Sequence, residues 1–214
     1  VGDKIIITKP IGTGVIFAAE MRGKIGGLAV DAALNMMCKS NRDGALCLRE
    51  FGCKSCTDVT GFGLLGHLVE MMNASGGVSV VVHLDKVPIL PGAVECVERK
   101  IFSSLQPQNA RLRRAVDTDS QREASKHPQY PLLFDPQTAG GLLASVPSNK
   151  AEACVTRLRE IGYADAMIIG DVVSSKNMQA GGGVMIECRG LERASEPASC
   201  EDLGGSELDP LLSK

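Results

Sequence analysis

The chain has no tryptophan, and only two tyrosines and five phenylalanines in 214 residues. That scarcity argues against a surface that works by stacking bases or sugar rings, because such surfaces are built on aromatic planes. Strong charge of either sign is also missing. The 23 basic and 25 acidic side chains leave a formal net charge of -2, so no general field draws nucleic acid or an anionic membrane surface. An anionic ligand must therefore be held by local groups. No apolar run approaches the ~20 residues that span a bilayer, and Val1-Gly-Asp-Lys4 lacks the apolar core of a signal peptide. The expectation is a soluble, cytoplasmic protein with neither nucleic acid nor membrane as partner. Eight cysteines are too sparse for a disulfide-framed mini-domain, and the aliphatic content can build a core unaided, which points to reduced thiols.

At this length one large domain or two small ones is natural. The pattern favours one domain over residues 1–188 and a polar tail over 189–214, rich in Ser, Glu, Pro and Gly and expected to be poorly ordered. The β-branched run Asp3–Thr8 reads as a strand leading into the glycine loop Lys9-Pro-Ile-Gly-Thr-Gly14. Leu28, Ala29, Ala32, Ala33, Met36 and Met37 recur at helical spacing and predict one buried stripe, with the methionines in the core. Further helices are expected over 43–51, ended by Gly52, from Leu64 to Met72, stopped by Gly76-Gly77, and over 91–100 with Pro91 in the first turn. Alternation over 78–84 predicts a strand with one face buried more deeply. Residues 103–131 are polar and aperiodic, which reads as a long surface connection with one helical turn. Strands are expected at 132–134, 142–146, 166–173 and 184–188. Asn149 with Glu152 resembles a capping box opening a helix whose apolar face is Ala151, Cys154, Val155, Leu158 and Ile161. Without a strict βαβ alternation or a dinucleotide fingerprint, an α+β layer of helices on a mostly antiparallel sheet fits best, with a doubly wound sheet as the second choice.

Two stretches carry chemical potential. Thr57-Asp-Val-Thr-Gly-Phe-Gly63 lies directly before a predicted helix, where unpaired N–H groups and the positive end of the helix dipole favour a phosphate. Asp58 beside that position can hold a hard cation such as Mg²⁺; it can equally be a helix cap beside a glycine turn. Asp135-Pro-Gln-Thr-Ala-Gly-Gly141 joins two predicted strands, and its glycine pair permits unusual backbone angles. It can present Thr138 and the following N–H groups to a ligand, or serve only as a hairpin connection. Cys53-Lys-Ser-Cys56 invites a zinc or redox reading, but no second ligand pair lies nearby in sequence and the three histidines are scattered, so buried thiols are the simpler account. His67 reads as a hydrogen-bonded structural histidine before a general base. Arg111, Arg113 and Arg114 read as a solvated basic patch.

Taken together and in order, Cys56-Thr-Asp-Val-Thr-Gly-Phe-Gly-Leu-Leu-Gly-His67 and Phe134-Asp-Pro-Gln-Thr-Ala-Gly-Gly-Leu142 resemble signatures of the selenide, water dikinases, also called selenophosphate synthetases. The opening Gly2–Gly14 is similar to the segment with which that family begins its carboxy-terminal domain, so the likeness spans residues 1–188. The resemblance implies an aminoimidazole ribonucleotide synthetase-like carboxy-terminal domain. It further implies a part in the Mg²⁺-dependent conversion of ATP, selenide and water to selenophosphate, AMP and orthophosphate. The cleft for that reaction would form with an amino-terminal half, which also supports a homodimer. By the same resemblance Asp58 is a metal ligand, and Thr60, Gly61 and Gly63 shape its loop. Thr138, Gly140 and Gly141 would form a second wall, and Lys9 and Thr13 would approach the phosphates from the opening loop. The family's reactive Cys or selenocysteine, its partner lysine and its further metal-binding aspartates have no matching position here. The chain is thus expected to be the second half of such an enzyme and inactive by itself. One alternative is a catalytically silent binding or regulatory module. Another is a different member of the superfamily, such as aminoimidazole ribonucleotide synthetase or the hydrogenase maturation protein.

Overall fold

A computed structural model describes residues 1–175 and 183–188, so the tail expected from residue 189 onward lies outside the described residues. The first strand, β1 (Lys4–Ile7), carries three consecutive isoleucines with no exposed surface. Alternation sends Ile5 and Ile7 into one hydrophobic cluster and Ile6 into another. Because the strand is covered on both faces, its sequence reads as an unbroken β-branched run. The other strands are β2 (Ser55–Asp58), β3 (Val78–His83), β4 (Leu142–Val146), β5 (Met167–Ser174) and β6 (Val184–Glu187). They form a six-stranded sheet in the order β2-β4-β1-β5-β3-β6, antiparallel except for the β3–β6 pair. The mostly antiparallel α+β architecture expected from the sequence is the one found.

In chain order the helices are α1 (Thr13–Glu20), α2 (Gly27–Cys38), α3 (Arg42–Glu50), α4 (Gly63–Ser75), α5 (Ala93–Glu98), α6 (Gln106–Asn109), α7 (Thr118–Ala124) and α8 (Ser148–Glu160). Val15 and Ile16 of α1, Leu64, Leu65 and Leu68 of α4, and Ala93 and Val97 of α5 join the cluster around Ile5 and Ile7. Cys47 and Leu48 of α3 and Ala151, Cys154, Val155 and Leu158 of α8 join the one around Ile6. Fully burying each of these larger aliphatic side chains is worth about 1.5–3 kcal/mol. β4 feeds both clusters, Leu143 on one side and Leu142, Ala144 and Val146 on the other. The second signature loop therefore enters a strand fixed on both faces, and the first leaves β2, which pairs with that strand.

Several expectations are corrected. α2 forms as expected, but of its predicted stripe only Ala33 is fully buried, Met36 and Met37 are half-buried, and Leu28 is 89% exposed. Periodicity aligns a stripe; whether anything covers it is a tertiary matter. α1 is not marked in the sequence, because Val15, Ile16, Ala18 and Ala19 are all buried and a helix buried nearly all round shows no amphipathic period. The predicted 91–100 helix starts only at Ala93, after Gly92 in a left-handed conformation at φ 85°. Residues 103–131 are not a loose surface connection. They contain α6, a 3₁₀ turn at Ala110–Ala115 and α7, and they bury Gln106, Asn109, Val116, Ala124 and Tyr130. The strand expected at 132–134 is a 3₁₀ turn, Tyr130–Phe134, with Pro131 in it. A short buried apolar run does not discriminate strand from helix. Segment 135–141 is consequently no hairpin connection. β2, which is not among the expected strands, is a short edge strand with only one face partly covered. α8 begins at Ser148 after Pro147 with no side-chain cap, so the Asn149 capping box does not form, although the predicted apolar face does.

Candidate functional site

The two signature segments, far apart in sequence, lie against each other. The register of β2 on β4 sets Asp58 opposite Leu142, so both segments leave the sheet at the same end. Val59 N–H donates to Gly141 O at 2.9 Å, and Gln137 N–H donates to Thr60 O at 2.9 Å. Asn109, 6% exposed, donates from one amide nitrogen to Gly61 O at 2.8 Å and to Phe134 O at 3.1 Å. It clamps both segments from the region that the sequence suggested was mere connection. Asn41 donates to Gly140 O at 2.9 Å from the start of α3.

The second segment also closes the N-terminus of α1. Gln137 Oε1 accepts from Gly12 N–H, Thr13 N–H and the Thr13 hydroxyl at 2.9, 3.2 and 3.1 Å. Asp135 Oδ2 accepts from Gly14 N–H at 3.0 Å, Val15 N–H at 3.3 Å and Gln137 Nε2 at 3.1 Å. The amides that a helix leaves unpaired at its start are thus taken up inside the protein. Asp135 has no exposed surface, and its Oδ1 has no hydrogen-bond partner among the described residues. Burial pushes its carboxyl up to about 7, against the three donors that hold it down. Gly14 permits the contact, since a Cβ there would lie 2.5 Å from Oδ1. By contrast α4, which begins at Gly63, five residues after Asp58, receives no side-chain cap at its N-terminus.

A cleft of about 380 Å³ opens beside these segments, lined by Thr13, Gly14, Gly61, Gln137 and Thr138 with Phe17, Met21, Phe102 and Leu105. Of the residues singled out from the sequence, it gathers Thr13, Gly61 and Thr138. Thr13 is fully buried, its hydroxyl accepting from Thr138 N–H at 2.9 Å, and Thr138 is exposed. Asp58 is exposed at the end of β2 and is not part of the lining. Thr60 lies 3.2 Å from His67 Nε2, an engagement that supports the structural reading of that buried histidine. Lys9 points elsewhere: 4% exposed, its ammonium donates to Lys39 O at 2.5 Å and Ala139 O at 3.1 Å. Burial, with the Lys39 charge adding, holds its pKa below the usual lysine value.

The glycines divide into two kinds. A Cβ at Gly63 would lie 2.9 Å from the Phe134 carbonyl carbon, at Gly140 2.1 Å from Val59 O and at Gly141 2.6 Å from Lys9 N, so these three let backbone meet backbone. Gly61 has open space. Gly140→Ala should therefore cost about 1–3 kcal/mol, seen as a lower urea midpoint. Gly61→Ala should leave the midpoint within about 0.5 kcal/mol. Equal midpoints for the two variants would contradict the packing described.

The residues expected from the sequence do not include Asp135, Gln137, Asn41 or Asn109. The first two stand inside the quoted motif, and a signal for their role was the apolar segment following Gly14, which needs a cap. Nothing local marks Asn41 or Asn109. Cys53 and Cys56 are free, and no group of three or more metal-ligating side chains occurs among the described residues. The Cys56 thiol holds Cys53 down to about 7. Arg111, Arg113 and Arg114 are exposed.

The family described as AIR synthase related protein, C-terminal domain, matches residues 1–182. Selenide, water dikinases of Pelobacter propionicus and Clostridioides difficile are each 39% identical to the chain over 173 residues. Each alignment covers 80% of the chain and 49% of the relative, so the chain spans about half the length of the curated relatives it matches. Among solved structures, hydrogenase maturation protein HypE aligns with a TM-score of 0.61 at 21% identity, covering 87% of this chain and 50% of that one. Thiamine monophosphate kinase from Aquifex aeolicus aligns at 0.51 and 16%, again over 87% and 50%. At those identities the likeness is one of fold.

Proposed function

Since the chain belongs to the family of AIR synthase related proteins, whose C-terminal domain it carries, we propose that it is the carboxy-terminal half of a selenide, water dikinase. In this reading it supplies one metal ligand and part of the phosphate cradle for making selenophosphate, AMP and orthophosphate from ATP, selenide and water. The observation that carries the reading is the pairing of the two signature loops at one end of the sheet, beside a helix start left without a side-chain cap. The relatives of this sequence are named selenide, water dikinases, and one solved HypE holds ATP.

Each residue has a part. Asp58, exposed and carrying no hydrogen-bonded or ion-paired carboxylate partner among the described residues, offers its charge to a Mg²⁺ ion. When bound, that ion would neutralise phosphate oxygens. One carboxylate is a fraction of the oxygen shell that Mg²⁺ requires, so the residues here fit a shared site whose other ligands come from an amino-terminal half. In this reading the α4 start, two residues after exposed Gly61, offers an anion the helix dipole and the N–H groups left over once Gly63 N–H has donated to Thr60 O. Thr138 faces it from the second wall, held by Thr13. Gly63, Gly140 and Gly141 set the approach of the two loops, and Lys9 ties the second wall to the end of α2. Exposed Met21, Phe62 and Leu105 border this region, an apolar rim suited to a partner domain. A cytoplasmic homodimer, assembled through the amino-terminal halves, completes the proposal.

The test is reconstitution. The purified chain, incubated anaerobically with ATP, Mg²⁺ and selenide, should give no selenophosphate or AMP by phosphorus NMR. Both should appear when a separately produced amino-terminal half is added. Product from the chain alone would overturn the division of labour, and no product from the mixture would favour a silent binding module.

A further inference from the structure

A second cavity, of about 370 Å³, lies between α2, the 89–91 segment and the turn at 162–165, and it shares no lining residue with the cleft. Lys9 and Lys39 both line it. A buried lysine normally comes with a counter-charge, because removing an ammonium from water is costly. Here neither lysine forms an ion pair among the described residues. Lys9 leans on two carbonyls, and the positive charge of Lys39 adds to the burial that disfavours its ammonium. Lys39 is itself positioned, donating to Ile161 O at 3.1 Å with its ammonium 4.8 Å from the centroid of the Tyr163 ring. Asp165, the carboxylate on the lining, is exposed and pairs with neither lysine. The remaining wall includes Met36, Leu90 and Pro91.

Two fixed, unneutralised cations beside an apolar wall make a receptor for negative charge. We propose that this cavity binds a small molecule with an oxyanion head, phosphate or carboxylate, and an apolar body, the head between Lys9 and Lys39. The oxyanion would supply the counter-charge the lysines lack, and the body would cover the Met36 and Leu90 side. The site needs neither ATP nor an amino-terminal half, so it stands or falls separately from the function proposed above.

The experiment is titration of the full ¹⁵N-labelled chain with phenyl phosphate, benzoate and inorganic phosphate at constant ionic strength. Saturable amide shifts at Asn35, Gly162 and Tyr163 are expected with at least one of them. The tighter of phenyl phosphate and benzoate identifies the head group, and weaker binding of inorganic phosphate would show that the apolar wall contributes. Lys39→Gln should weaken binding about tenfold or more, whereas Lys39→Arg should stay within about threefold of the parent. The proposal is overturned if none of the probes saturates, if the shifts fall at Gly61 and Thr138 instead, or if folded Lys39→Gln binds like the parent. Should Lys39→Gln fail to fold, the Lys39→Arg affinity and the location of the parent's shifts decide.

Discussion

Asp58→Asn in the assembled enzyme is expected to reduce Mg²⁺-dependent turnover by roughly a thousandfold, the equivalent of several kcal/mol of charge stabilisation at the phosphates. The substitution keeps the size of the side chain and removes its charge. Its effect on the fold should be slight, because Asp58 stands exposed at the end of the edge strand β2. A change within about 0.5 kcal/mol is the expectation for such a position. The measurement is AMP formation across a Mg²⁺ titration, with a urea midpoint for each protein. A shared site should show its loss first as a weakened Mg²⁺ dependence, so excess metal should recover part of the rate. Normal turnover in a folded variant would overturn the proposed role of Asp58 as a metal ligand. A large drop in midpoint would instead make it a structural residue.

The residues proposed to meet ligand and the residues that hold their loops differ in how far the sequence marks them. The glycine-rich segments stand out because a run of unusual residue types is visible one position at a time. β1, α4 and the apolar face of α8 were legible for a related reason: their burial is periodic or continuous along the chain. Asn109 could not be read this way. Its two acceptors, Gly61 O and Phe134 O, are 48 and 25 positions away, and in sequence it is one polar residue in a polar stretch. That stretch looked like a surface connection because buried polar groups satisfied by backbone carbonyls leave no hydrophobic trace. The misread strand at 132–134 had the opposite cause: Leu132, Leu133 and Phe134 are as buried as a central strand, but in a 3₁₀ turn. In both cases the long-range partner, and not the local pattern, decides the structure.

Asp135 is the residue from which the sharpest pH dependence is expected. Its carboxyl is pushed up to about 7 from an ordinary 3.8, by burial first, with the amides of Val15 and Gly14 and the Gln137 side chain opposing. Between those two values the unfolded chain has released this proton and the folded chain still holds it. Stability should therefore be full below about pH 4, fall by about 1.4 kcal/mol per pH unit through the window, and level off above 7, a total of roughly 4 kcal/mol from this group. Asp3 and Asp171, held below the ordinary value by Lys54 and Ser145 and by Lys4 and His83 against the burial that raises them, act in the opposite sense and only below about pH 4. Asp135→Asn can keep an acceptor toward Gly14 and Val15 while removing the titration, so urea midpoints measured from pH 4 to 8 should lose the Asp135 component of the slope. If parent and variant run parallel, Asp135 is ionised throughout and the α1 amides outweigh its burial. The distinction matters at the cleft, because Asp135 stands one hydrogen bond from Gln137, which holds Thr13, and Thr13 holds Thr138. A neutral carboxyl there caps α1 without setting a negative charge behind the wall proposed to face phosphate. An ionised one would repel the same phosphate through a poorly screened interior. The pH at which Asp135 titrates should thus be visible twice, in the stability of the chain and in the ATP affinity of the assembled enzyme, with the second weakening as the proton leaves.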